Sequence, residues 1–122
     1  MLKLLHVDDD ADILEMAKMS LKLTGGFETV GCLSGEEALT IAPDYMPDVL
    51  LLDVMMPGMS GPETLERLRE FPSLEDVPAI FMTARVGAAS EAELFGLGAK
   101  EIIQKPFDPM ALGSQILDVL KR

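Results

Sequence analysis

The chain has 122 residues, 48% of them hydrophobic and 25% charged, a length that fits one domain and leaves no room for a second of ordinary size. The 21 acidic residues against 10 basic ones give a formal net charge of -11, which argues against a broad nucleic-acid surface built from clustered Lys and Arg. One cysteine, Cys32, allows no internal disulfide, no apolar run is long enough to cross a membrane, and the N-terminus lacks a signal-peptide pattern, so a soluble cytoplasmic domain is expected.

Apolar runs alternate with amphipathic segments along the whole chain. Leu2 to Val7 predicts a first strand, and Asp10 to Leu23, with Ile13, Ala17 and Leu21 at spacing four, a helix stopped by Gly25-Gly26. Phe27 to Cys32 predicts the second strand. Ser34 followed by Glu37 predicts a capping box opening the second helix. Val49 to Leu52 is fully apolar and predicts the third strand. Ser60 followed by Glu63, with Pro62 in the first turn, predicts a second capping box and a helix to about Glu70. Val77 to Met82 predicts the fourth strand, and Gly87 to Gly98 a helix that its Ala and Gly content makes the weakest and most mobile. Glu101 to Gln104 predicts the fifth strand. Asp108-Pro109 predicts a cap for the last helix, with Phe107 stapled onto Leu112. Five strands alternating with five helices imply right-handed crossovers and an α/β fold, a doubly wound parallel sheet in the flavodoxin-like order 2-1-3-4-5.

On such a sheet, sites lie beyond the carboxyl ends of the strands near the point where the order reverses. The polar residues there are Asp8, Asp9 and Asp10 after the first strand, Asp53 after the third, Thr83 after the fourth and Lys105, followed by Pro106, after the fifth. Asp8, Asp9 and Asp53 crowd negative charge that a proton or cation must relieve, and a hard divalent ion such as Mg²⁺ suits three carboxylates. Zinc does not fit, because the only His and the only Cys are not placed to bind it together. With a cation present, Asp53 can act as nucleophile toward a phosphoryl group and form an acyl phosphate, while Thr83 donates to one phosphoryl oxygen and Lys105 neutralises another. Taken singly, these residues have plainer readings: Asp8 to Asp10 as helix caps, Asp53 as a loop cap, Thr83 as structural and Lys105 as surface. Their joint placement at four strand ends outweighs those readings. His6 reads as a packed strand histidine, the nine Met residues as gap fillers, and Lys105-Pro106 as a candidate cis peptide.

The segments Val7-Asp8-Asp9-Asp10, Leu51 to Gly61, Thr83-Ala84, Gly98-Ala99 and Lys105-Pro106-Phe107 together resemble the receiver domain of two-component response regulators, of the chemotaxis-regulator type. The resemblance runs from Leu2 to Leu120 and implies a single receiver domain over 1–122 with no output domain in it. It implies Asp53 as phosphoacceptor, with Mg²⁺ or Mn²⁺ held by Asp9, Asp53, Asp8 through water, and the Met55 backbone carbonyl. Thr83 and Lys105 hold the phosphoryl group. The implied donor is a phosphohistidine on a sensor histidine kinase or a histidine phosphotransfer protein, and a protein partner docks on the face of the fourth helix, fifth strand and fifth helix. The implied domain catalyses its own phosphorylation and dephosphorylation but is chiefly a switch.

This chain departs from the family pattern at three places. The strand-five switch position, commonly aromatic, is Ile102, which has no ring to rotate; Thr83 and Ile102 remain the expected switch pair. Ser60 stands where Asp is frequent and is an equally good cap. Met110 to Leu120 carries Asp118 as its only charge, which speaks against a charge-paired dimer through the last helix. Met55 and Arg85, each two residues past a site residue, are expected to border the water path and give slow to intermediate self-dephosphorylation. The expected output surface comprises Ala88, Ala89, Ala92, Phe95 and Ile102 to Gln104. Three other functions that share the fold or the chemistry are disfavoured. Three aspartates after the first strand would repel a flavin phosphate, a dehydrogenase glycine fingerprint is absent there, and Met55 stands where a haloacid-dehalogenase phosphatase places a second Asp. The remaining alternatives are a phosphate sink or relay receiver from a larger hybrid protein, and a docking module that does not use phosphorylation.

Overall fold

A computed structural model describes residues 1–85 and 87–122. In chain order its elements are β1 (Leu2–Val7), α1 (Ala11–Thr24), β2 (Phe27–Cys32), α2 (Gly35–Tyr45), β3 (Val49–Asp53), α3 (Gly61–Leu68), a 3₁₀ turn (Pro72–Leu74), β4 (Ala79–Thr83), α4 (Ala88–Gly96), β5 (Glu101–Gln104) and α5 (Leu112–Leu120). The five strands form one parallel sheet in the order β2-β1-β3-β4-β5, as expected from the sequence. The reversal of order falls between β1 and β3, where Leu4 to Val7 pair with Val49 to Leu52.

Successive residues of a strand point to opposite faces, and each face here has its own core. Leu5, Val7, Leu50, Leu52 and Phe81 face Ala38, Ala42, Leu65, Leu68 and Leu94 of α2, α3 and α4. Leu4, Val49, Leu51, Ile80, Met82 and Ile103 face Ala17, Leu21, Leu112, Ile116 and Val119 of α1 and α5. All five residues of β3 are buried, which is why its sequence reads as an unbroken apolar run rather than an alternating one.

The helix ends follow from local chemistry. The Asp10 carboxylate accepts the Asp12 and Ile13 amides at 2.9 and 3.4 Å and starts α1, and Gly26 at φ +67° turns the chain out of it. The capping box at Ser60 is complete: its hydroxyl accepts from the Glu63 amide at 3.2 Å, and Glu63 accepts from the Ser60 amide at 3.3 Å. At Ser34 only the first of the two bonds is present among the described residues, from the Glu37 amide at 3.1 Å.

Several boundaries differ from the sequence reading. β4 starts at Ala79 and not at Val77, because Pro78 has no amide to donate and the Val77 carbonyl is taken by the Arg69 guanidinium. α3 stops at Leu68, and α4 spans 88–96, since Gly98 at φ +109° lies outside helical backbone. α5 begins at Leu112; Asp108 instead organises a preceding turn, its side chain accepting from the Met110 amide at 2.9 Å and its carbonyl from the Ala111 and Leu112 amides at 3.0 Å. Phe107 and Leu112 pack in the same core layer, in keeping with the expected staple. The Lys105-Pro106 bond is cis, as the sequence reading anticipated.

Cys32 lies at the end of β2 with no exposed surface, and burial, then the charge of Glu37, pushes its thiol up to about 12. Thiol alkylation requires the thiolate. Iodoacetamide at pH 8 is therefore expected to leave native Cys32 unmodified and to label it in urea, with mass spectrometry as the readout. Equal labelling in both states would show that the thiol is not sequestered.

Candidate functional site

The carboxyl ends of β1, β3, β4 and β5 bring Asp8, Asp9, Asp53, Thr83 and Lys105 into one cleft of about 280 Å³. A carboxylate oxygen from each of Asp8, Asp9 and Asp53 lies within 4.8 Å of the others. Asp8 is fully buried, Asp53 is 5% exposed, and Asp9 is open to solvent. Asp10 also lines the cleft, but its carboxylate is engaged with the α1 amides. The Asp8 carboxylate also accepts the Asp10 amide at 2.9 Å, which fixes the loop that carries all three aspartates.

Lys105 bridges two of the carboxylates, with its Nζ 2.9 Å from Asp8 and 3.0 Å from Asp53. Burial pulls the ammonium down, but these two bonds outweigh it and raise its pKa, so Lys105 stays charged. Asp53 is raised from its ordinary value, first by burial and also by the charges of Asp8 and Asp9, against the opposing pull of Lys105. Three carboxylates against one ammonium, which reaches only Asp8 and Asp53, crowd the cleft with negative charge. Oxygen donors at this spacing, with an exposed side at Asp9, fit a hard divalent cation and do not resemble a sulfur or imidazole site.

The Thr83 hydroxyl oxygen accepts the Arg85 amide at 3.0 Å, leaving its own proton to be donated. Met55 is 62% exposed and lines the cleft together with Arg85. Ile102 is half-buried and packs with the α2–α4 layer. Ala88, Ala89, Ala92, Phe95 and Gln104 are exposed, as expected of a docking surface; Ile103 is not part of it, because it is buried against the α1 and α5 layer. His6 is buried in β1, as its reading as a packed strand histidine expects, and its pKa falls to about 3 through burial and then the charge of Lys105.

The sequence reading missed two contributors. Ile13, in the sequence reading only one of the spacing-four positions of α1, walls the cleft. Gly61, in the sequence reading only the end of the segment Leu51 to Gly61 with no role of its own, lies against the Asp53 backbone so closely that a Cβ there would stand 2.2 Å from the Asp53 carbonyl oxygen. The signal for Ile13 was its position one turn after Asp9; nothing local in the sequence marks the contact at Gly61.

Comparison with known families identifies the class of domain to which this sheet and its acid cluster belong. The chain belongs to the response regulator receiver domain family, whose profile matches residues 4–117. It is 39% identical over 119 residues to the transcriptional regulatory protein YvrH of Bacillus subtilis, covering 98% of this chain and 49% of that protein. It is 35% identical over 119 residues to the phosphate regulon transcriptional regulatory protein PhoB of Pseudomonas aeruginosa, covering 98% of this chain and 52% of that protein. The chain thus spans about half the length of these curated relatives. Among solved structures, the chemotaxis protein CheY4 of Vibrio cholerae superposes with a TM-score of 0.91 at 31% identity, over 98% of both chains. No helix among the described residues is long and apolar enough to cross a membrane.

Proposed function

We propose that residues 1–122 form one receiver domain that accepts a phosphoryl group on Asp53 in a two-component phosphorelay. The observation that carries this reading is the placement of nearly buried Asp53 between two further carboxylates and the Lys105 ammonium. Asp53 is the nucleophile. Its oxygen bonds to phosphorus as the bond from phosphorus to the donor nitrogen breaks, and the donor imidazole keeps the electron pair. Lys105 neutralises one phosphoryl oxygen and the Thr83 hydroxyl donates to another. Asp9 and Asp53, with Asp8 through water and the Met55 backbone carbonyl, would hold Mg²⁺ or Mn²⁺, which supplies the charge neutralisation that lets a phosphoryl dianion approach three carboxylates.

The donor in this reading is a phosphohistidine on a sensor histidine kinase or histidine phosphotransfer protein, in the cytoplasm. Drawing Thr83 toward the phosphoryl group withdraws its oxygen from the Arg85 amide and loosens the connection into α4, so α4, β5 and α5 present the surface a protein partner reads. Ile102 takes part by shifting its packing and not by turning a ring. The chain's charge of -11 disfavours its own contact with nucleic acid. A sink or relay receiver from a hybrid protein is the second reading, supported by Ile102 and by the 28% identity, at a TM-score of 0.85, to a receiver domain of a signal transduction histidine kinase from Syntrophus aciditrophicus.

Intact mass after incubation with acetyl phosphate tests the proposal. One phosphoryl adduct is expected with Mg²⁺ and none after chelation. A folded protein that gains no adduct under either condition would leave the phosphorylation-independent docking module as the reading.

A further inference from the structure

The rim of the acidic cleft leads into a second cavity. Met55 and Arg85 line the cleft and also line a space of about 570 Å³ walled by Val54, Met56, Pro57 and Pro62. The two spaces adjoin across this pair and differ in chemistry, with carboxylates and an ammonium on one side and methionine and proline surface on the other.

Phosphoryl transfer runs in line, with the attacking oxygen, the phosphorus and the leaving atom close to one axis. Asp53 and Thr83 are buried at the floor, while Met55 and Arg85 are exposed at the mouth. A group leaving from the side of phosphorus opposite Asp53 therefore departs toward the mouth. The exposed carboxylates Asp9 and Asp10 also line the cleft and repel an anion. The Arg85 side attracts one, and the cavity beyond it offers apolar surface.

We propose that this outer cavity is a leaving-group subsite, so that the chain prefers small phosphodonors with an aromatic acyl group, the aroyl phosphates, over acetyl phosphate. The Met55 thioether is suited to the edge of an aromatic ring, and the Arg85 guanidinium to the departing carboxylate oxygens. In the transfer, an Asp53 oxygen bonds to phosphorus and the bond from phosphorus to the acyl oxygen breaks. That oxygen keeps the electron pair, and the aroate leaves as an anion with no proton moved. The inference rests on the reading of Asp53 as phosphoacceptor.

Initial rates of adduct formation with benzoyl phosphate and acetyl phosphate, both with Mg²⁺, test it on the whole chain. Wild type is expected to use benzoyl phosphate at least about tenfold more efficiently, the scale on which apolar pockets discriminate. Met55→Gln, at an exposed position of similar side-chain length, is expected to lower that ratio several-fold while keeping the wild-type Tm. Because the ratio is compared between two proteins, the intrinsic reactivity of the donors cancels. A ratio unchanged by Met55→Gln overturns the subsite. No adduct from either donor overturns the phosphoacceptor reading and the subsite with it.

Discussion

Asp53→Asn is expected to lose all phosphoryl incorporation and, in the same tube, to unfold at a higher temperature than wild type. The loss follows because an amide cannot supply the attacking oxygen anion. The gain follows because the Asp53 carboxylate is charged where burial, Asp8 and Asp9 disfavour charge, so its folded pKa stands above its unfolded one. A carboxyl with a raised pKa binds its proton more tightly in the folded state, so it costs stability at neutral pH. That cost disappears as the pH falls through the folded pKa to the unfolded value of about 4. Asn keeps the shape and removes the charge, and Lys105 retains Asp8 at 2.9 Å as its partner. A rise in Tm of about 4 °C at pH 7 is expected, the shift that roughly 1 kcal/mol produces in a domain of this size, shrinking toward zero near pH 4. Millimolar Mg²⁺ should narrow the gap by binding wild type better. A lower Tm for Asp53→Asn at pH 7 would show that Lys105 already compensates the crowding in full.

Gly61→Ala is expected to be the most damaging glycine substitution at the site. The added Cβ would lie 2.2 Å from the Asp53 carbonyl oxygen and 3.0 Å from both the Asp53 carbonyl carbon and Val54 Cα. All three are backbone atoms, and the Gly61 amide is tied to the Val54 carbonyl at 3.0 Å, so neither side can swing away. The start of α3 must then lift from the end of β3, at a cost of about 3 kcal/mol, the upper part of the usual overpacking range. Adduct formation on Asp53 should slow in parallel because its backbone has moved. Gly96→Ala is the control: no atom lies within 4 Å of its added Cβ, and alanine favours helix over glycine by up to about 1 kcal/mol. Urea denaturation of the two variants should move the midpoint in opposite directions. A midpoint for Gly61→Ala near wild type would mean that the contact relaxes without strain.

Most of the fold was legible because a doubly wound sheet writes each strand as a short apolar run and each helix as a capped periodic segment. Ser60, Glu63, Gly26 and Asp10 mark their helix ends by chemistry that is local to the chain. The site residues were legible for a related reason: Asp53 and Thr83 follow directly on apolar runs, and Lys105 follows the short strand Glu101–Gln104. What was hidden depends on contacts distant in sequence. That Lys105 spans Asp8 and Asp53 follows only once β5 is placed two strands from β3. The loss of Val77 from β4 needs Arg69 to take its carbonyl. α2 runs on through Pro43 to a left-handed Met46 at φ +54°, two residues whose local preferences oppose that backbone.

Helix α4 has Leu94 as its only buried residue and no side-chain cap at Gly87. The apolar attachment of the whole helix is thus one leucine side chain, about 1.5–3 kcal/mol when fully buried. A single hydrogen bond to a charged group contributes about the same, roughly 1.5–3 kcal/mol. One new bond from the Thr83 hydroxyl to a phosphoryl oxygen is therefore on the scale needed to reposition this helix, while the sheet beneath, with β3 and β4 buried along their full length, stays fixed.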